Sequence, residues 1–223
     1  MHTTFVCTSD IHMLHEKIDV PFADVFVCAG DMGDAGTLEE SQEVLAWIAK
    51  LPHSVRIVTP GNHDGPLQDA KILEKLRSEF PNITILIDQT ITINGLKIHA
   101  SPWVPGTPVK GEYPWAFDIW SLEGRMSKWN MIPDDVDVLI THTPALGSRD
   151  TDRDNVSRGC SALDFRRARL NNLKLHIFGH IHSSAGTEIK NGITLVNAAI
   201  ALSDEEVRKP IVVSVENKKF SEV

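Results

Sequence analysis

Gly61-Asn62-His63-Asp64 places a neutral oxygen ligand, an imidazole and a carboxylate within four residues, directly after the apolar run Val55 to Thr59. Delivered together by the end of a strand, such groups are equipment for metal-assisted hydrolysis. The same arrangement recurs along the chain. Thr3 to Thr8 leads to Asp10 and His12, Val25 to Ala29 ends in Gly30-Asp31, Val136 to Ile140 ends in Thr141-His142, and Leu173 to Phe178 ends in Gly179-His180-Ile181-His182. Asp10, His12, Asp31, Asn62, His142, His180 and His182 are thus seven candidate ligands for two metal ions. Asp31 has two carboxylate oxygens with which to bridge them, and mixed nitrogen and oxygen ligation suits Mn, Fe, Co, Ni or Zn rather than Mg or Ca. The set contains no thiolate, which argues against structural zinc. Gly30, Gly61 and Gly179 each precede a ligand, where a missing Cβ lets the backbone pass close to the ions.

The elements that must position these groups follow from periodicity. Thr37 to Leu51 carries apolar residues at helical spacing, with Thr37 and Glu40 forming a capping box, and Leu67 to Phe80 is a second amphipathic helix stopped by Pro81. Strands alternating with helices predict a parallel sheet. From Ile83 the pattern changes to the short β-rich runs Ile83 to Ile87, Gln89 to Ile93 and Leu96 to Ala100. Asn94-Gly95 and Asn191-Gly192 are hairpin turns, so a second, partly antiparallel sheet is expected, closed by Ile211 to Val215. Ser121 to Trp129 reads as a helix, and Ser101 to Trp120 as a long functional loop holding Trp103, Trp115 and Trp120. Those tryptophans and Phe117 either cover the second sheet or line a substrate pocket.

The chain of 223 residues suits one domain, residues 1–223, with an ordinary globular composition of 42% hydrophobic and 23% charged residues. A net charge of -8 argues against an extended nucleic-acid surface, which needs clustered Lys and Arg. Arg166, Arg167, Arg169 and Lys174 do cluster, and read as a solvated helix face. The widely spaced Cys7, Cys28 and Cys160 indicate no disulfide framework and fit a reducing cytoplasm. Strand residues from Thr3 leave no room for a signal peptide, and no apolar run approaches membrane-spanning length.

Taken singly, each ligand has a structural explanation; five ordered blocks do not. In that order, Asp-x-His, Gly-Asp, Gly-Asn-His-Asp, a lone His and Gly-His-x-His, the chain resembles the calcineurin-like metallophosphoesterase family. The resemblance implies a four-layer α/β fold, a double β-sandwich flanked by helices. It implies a first metal held by Asp10, His12, Asp31 and His182 and a second by Asp31, Asn62, His142 and His180, manganese being the first choice. It also implies a phosphoesterase in which a metal-bound hydroxide attacks phosphorus in line. His63 would stabilise transition-state charge or protonate the leaving oxygen, with Asp64 orienting its ring. Ser101-Pro102-Trp103, Lys128-Trp129-Asn130, His142-Thr143-Pro144 and Arg149-Asp150 resemble the class III phosphodiesterase-like branch that includes the MPPED proteins. Some members of that branch carry Gly at the first His of Gly-His-x-His, whereas His180 is kept here. The branch favours a small phosphodiester such as a cyclic nucleotide, and the position of the aromatic loop and of the segment after His142, both following strands, makes Trp103, Trp115 and Arg149 the expected substrate contacts. A phosphomonoesterase, a nuclease and a non-catalytic interaction scaffold are the other readings of the same fold.

Overall fold

A computed structural model describes residues 1–106 and 115–217. In chain order the elements are β1 (His2–Thr8), β2 (Val25–Ala29), α1 (Leu38–Lys50), β3 (Val55–Thr59), α2 (Ala70–Glu79), β4 (Thr84–Ile85), β5 (Gln89–Ile93), β6 (Leu96–Ser101), β7 (Val104–Pro105) and β8 (Asp118–Ile119). They continue with α3 (Leu122–Trp129), β9 (Val138–Thr141), α4 (Ser161–Arg167), β10 (Leu175–Phe178), β11 (Gly186–Lys190), β12 (Ile193–Asn197) and β13 (Ile211–Glu216). One sheet has the order β13-β1-β2-β3-β4 and the other β11-β12-β10-β9-β6-β5.

The strand period of two builds three cores from these sheets. Phe5, Cys7, Val25, Val27 and Ile57 face Ile98, Val138, Ile140 and Ile177 of the second sheet across the sandwich interior. The alternate residues Val6, Phe26, Cys28 and Val58 turn outward beneath Val44, Leu45 and Ile48 of α1 and Leu76 of α2. On the far side, Leu139 packs with Trp129 of α3 and Leu163 of α4. Helices, sheet, sheet, helices is the expected four-layer order. Every residue of β2 is buried because it is central and covered on both faces.

Most local expectations hold, and the exceptions have physical causes. Thr37 caps α1 and completes a capping box with Glu40, and Asn94-Gly95 and Asn191-Gly192 turn their hairpins with both residues at positive φ. The second helix is broken: a 3-10 turn over Gly65–Gln68 precedes α2, which restarts where the Asp69 carboxylate accepts from the amides of Lys71 and Ile72. The strand after Ile83 is cut to two residues, and the chain turns at Asp88, where φ is 50°. The basic cluster is a solvated face only in part: Arg169 is exposed, but Arg167 is buried and paired with Asp164, and Arg166 binds the Ile132 carbonyl and Asp134. Among the described residues no helix is long and apolar enough to cross a membrane.

What matters for function is direction. β1, β2 and β3 are mutually parallel, as are β6, β9 and β10, so the segments after β1, β2, β3, β9 and β10 emerge at carboxyl edges. The two edges are joined by the Ser9 to Ala199 bridge and by the His180 amide, which donates to Asp10.

Candidate metal centre

The residues after those five strands converge. Asp10, His12 and His182 form one group and Asp31, His142 and His180 another, while His12, Asp34 and His63 form a third that shares His12, the ligand atoms of each lying within 4.8 Å of one another. In the first, His182 Nε2 stands 3.1 Å from Asp10 Oδ1 and 3.3 Å from His12 Nε2. In the second, His142 Nε2 stands 3.1 Å from Asp31 Oδ2 and 3.0 Å from Asn62 Oδ1. Donor atoms sharing an ion at about 2.0–2.2 Å are spaced by roughly 2.9–3.5 Å, so both groups have the right dimensions.

The hydrogen bonding also asks for a cation. His142 Nδ1 lies 2.8 Å from the Ala29 carbonyl, an acceptor only, so that nitrogen carries a proton and Nε2 faces two oxygens, a place filled by a second proton or by a cation. A backbone carbonyl fixing the tautomer of a ligand is the usual companion of metal binding. Burial opposes a charge on His142, but the Asp31 carboxylate outweighs it and raises the ring to about 9. Burial likewise opposes ionisation of Asp10, yet the His182 hydrogen bond and the surrounding imidazoles hold its carboxyl below the usual range. Burial and the nearby His142 push His180 down to about 4, keeping the ring neutral with one nitrogen lone pair free.

Backbone conformation is unusual here. Asp10, His12, Asp31 and His180 have φ of 52°, 42°, 54° and 68°, left-handed values that cluster at functional sites. Two glycines permit the close approach. A Cβ on Gly61 would lie 2.3 Å from Asp31 Oδ1, and one on Gly179 would lie 2.1 Å from Asp10 Oδ2. The centre opens into a cavity of about 430 Å³ lined by His12, Asn62, His63, His180, Arg153 and the 201–204 loop, among others.

A model of the calcineurin-like phosphoesterase family matches residues 3–184, the stretch that carries all of these groups. The chain belongs to the calcineurin-like phosphoesterases. Human metallophosphoesterase domain-containing protein 1 is 31% identical over 99% of this chain and 73% of its own. A UPF0046 protein of Caenorhabditis elegans is 33% identical over 92% of this chain and 76% of its own. The crystal structure of TT1561 of Thermus thermophilus shares the fold, with a TM-score of 0.60 at 12% identity over 88% of this chain and 89% of that chain.

Within this calcineurin-like phosphoesterase, several expected contacts fall elsewhere. Asp64 does not orient the His63 ring. Its carboxylate accepts from the amides of Met32, Gly33 and Gly61, tying the loop after β2 to the loop after β3, and burial beside Asp31 pushes it up to about 7. The His63 ring instead donates Nδ1–H to the Asp34 carbonyl at 2.6 Å, while the His63 amide donates to Asp31 Oδ1 at 2.8 Å.

Arg149 is not free to hold substrate, because its three guanidinium nitrogens donate to the carbonyls of Ser184, Ala185 and Thr187. Trp103 is also committed: its indole N–H donates to Asp88, and Lys128 Nζ sits 4.0 Å above the ring and 3.0 Å from Asp88. Phe117 is core. Trp115 does reach the site, half exposed, with its ring 4.4 Å from that of His63. The rest of the aromatic loop, residues 107–114, lies outside the described residues.

The sequence reading missed two residues. Asp34 supplies the carbonyl under His63 and, 3.5 Å from His12 Nδ1, a carboxylate behind a candidate ligand. Arg153 sits at the cavity wall, in a turn stapled by Asp152, which accepts from the amides of Asp154 and Val156. Only the Asp34 position carried a signal, two residues beyond the Gly30-Asp31-Met32 block.

Proposed function

We propose that this calcineurin-like phosphoesterase hydrolyses small phosphodiesters, cyclic nucleotides among them, using two divalent ions with manganese the first choice. One ion would be held by Asp10, His12, Asp31 and His182, and the other by Asp31, Asn62, His142 and His180. The observation that carries this is the pair of donor groups, with Asp31 acting electrostatically on both His12 and His142. When bound, the ions supply Lewis acidity toward the phosphoryl oxygens and a water activated for attack near neutral pH.

The remaining work falls to side chains of the chain itself. The Ala29 carbonyl keeps His142 in the tautomer whose Nε2 can ligate. His63, with Nδ1 committed to Asp34, presents Nε2 to the cavity, where it can give a proton to the leaving oxygen. Among the described lining residues Arg153 is the one permanent cation, set against Asp31, Asp34 and Asp204, a balance that suits a singly charged diester better than a dianionic monoester. Trp115 offers a stacking face for a base beside the reacting phosphate. The cavity volume of about 430 Å³ and the net charge of -8 fit a small ester rather than a polymer. The buried free thiols of Cys7, Cys28 and Cys160 are in keeping with the cytoplasm.

The test is hydrolysis of bis-nitrophenyl phosphate and of 2′,3′- and 3′,5′-cyclic nucleotides by chelated protein, before and after addition of Mn, Fe, Co, Ni or Zn, with metal content measured alongside. Two ions per chain and recovery led by Mn are expected. Asp31→Asn should remove both ions and turnover. Full activity after chelation would refute metal dependence, and a preference for nitrophenyl phosphate monoester would refute the diester assignment.

A further inference from the structure

His63 is oriented by a main-chain carbonyl, so the question is what fixes that carbonyl. Asp34 lies in an exposed stretch between β2 and α1 that contains Gly33 and Gly36 and would otherwise be free to swing. Its amides are gathered onto one side chain. Glu40, in the first turn of α1, accepts at Oε2 from Asp34 N (3.2 Å), Gly36 N (2.9 Å) and Thr37 N (3.3 Å), and at Oε1 from Ala35 N (3.1 Å). A capping box needs only the last of the Oε2 contacts, the one to its N-cap amide. The other three serve the loop that ends at the His63 ring.

We propose that Glu40 is a positioning residue for the reaction: by binding the amides of residues 34–37 it fixes the Asp34 carbonyl against His63 Nδ1 and so sets which ring nitrogen faces the substrate. A carboxylate ringed by successive amides is a rigid arrangement, an anion held in a concavity of backbone N–H groups. Against the raising effect of burial, the amides of Ala35, Thr37, Asp34 and Gly36 keep its carboxyl below the usual range. Two further contacts leave the loop little room. The Gly36 carbonyl side faces Gly65, and a Cβ on Gly36 would meet the His63 carbonyl at 3.0 Å. On Gly33 a Cβ would meet Glu40 Oε2 at 2.8 Å. The helix cap and the proposed proton donor are therefore one connected unit, running from Glu40 through the loop amides and Asp34 O to His63 Nδ1.

The proposal rests on the phosphodiesterase reading, and its test separates the two. Nitrogen chemical shifts of the His63 ring, assigned by loss of the signal in His63→Ala, report its tautomer in zinc-loaded protein at a single pH. Wild type should show the Nδ1–H form. Glu40→Ala should give a mixture of tautomers, keep the full complement of metal, and lower kcat for diesters with alkyl leaving groups by at least tenfold more than for nitrophenyl ones, with KM little changed. Thr37→Ala removes the hydroxyl that caps the Glu40 amide but leaves the carboxylate in place. It should lower the melting temperature while the His63 tautomer and kcat stay as in wild type, which separates positioning from helix stability. A His63 spectrum in Glu40→Ala identical to wild type overturns the proposal, as does the same tautomer mixture in Thr37→Ala. A changed tautomer with equal kcat losses across leaving groups upholds the positioning by Glu40 and removes proton donation from His63.

Discussion

Substituting Gly61 by Ala tests the centre without replacing any candidate ligand. The added Cβ would lie 2.3 Å from Asp31 Oδ1, 2.7 Å from the Asp31 amide nitrogen and 2.8 Å from His142 Cε1, where ordinary contact begins near 3.4 Å. The Asp31 amide is backbone and His142 is anchored to Ala29, so neither neighbour can yield alone. The two carboxylate-bearing loops must separate by about 1 Å, a misplacement that costs on the order of 100-fold in rate, or about 2.7 kcal/mol of transition-state stabilisation. Overpacking also lowers stability by about 1–3 kcal/mol, which leaves a typical domain folded. The assay is kcat/KM on bis-nitrophenyl phosphate with metal content by mass spectrometry, beside urea unfolding. Gly65→Ala is the control, since the nearest atom to its added Cβ is the Gly36 carbonyl oxygen at 3.7 Å. Gly61→Ala protein with normal metal content and turnover would refute the idea that the ligands close on one another across this glycine.

The two arginines should divide cleanly. Arg149→Ala is expected to cost about 2–3 kcal/mol in urea unfolding, as three carbonyls lose a charged donor, while Arg153→Ala should keep stability and raise KM for every phosphate ester; the reverse pattern would return substrate binding to Arg149. Trp115→Ala should raise KM for a cyclic nucleotide about 5- to 150-fold, from stacking of about 1–3 kcal/mol, and spare an aryl diester, so equal effects on both would deny base stacking. Acid sensitivity has a source outside the centre. Burial pushes His99 down to about 4 and His176 well below its ordinary value, so the folded chain binds fewer protons than the unfolded one once pH drops below about 6.5. Each ring should therefore remove about 1.4 kcal/mol of stability per pH unit from about pH 6.5 down to its folded value. His99→Gln should flatten the fall measured by urea unfolding between pH 7 and 5, and an unchanged slope would place the sensitivity elsewhere.

How much was legible in the sequence follows from the range of the interactions involved. The candidate ligands stood out because a parallel strand reads as an apolar run, and the residue after it is bound to reach the sheet edge. Capping at Thr37 and Glu40 and the turns at Asn94 and Asn191 were readable for the same reason, being decided within four residues. That Arg153 rather than Arg149 faces the cavity was not, because both lie in a loop without periodicity and only the carbonyls of residues 184–187 reveal that Arg149 is occupied. Trp103 is settled by Asp88, and Arg167 by a burial that its charge conceals. Asp64 misled for a subtler reason. Adjacent in sequence to His63, it suggested a side-chain pair, whereas at the end of β3 the two side chains diverge and Asp64 turns back to the amides of the neighbouring loop.

Four of the candidate ligands, Asp10, His12, Asp31 and His180, hold left-handed backbone that L-residues adopt at a cost of about 1–3 kcal/mol each. Set against a total stability of about 5–15 kcal/mol for a typical domain, that is a large share, offset only in part by bonds such as those from the His180 amide to Asp10 and from the His63 amide to Asp31. Replacing any of them by Gly would relieve the torsion and could make the chain harder to melt while destroying the centre. Selection for heat resistance alone would thus erode these positions first, so thermostable variants of this protein need an activity screen at every round.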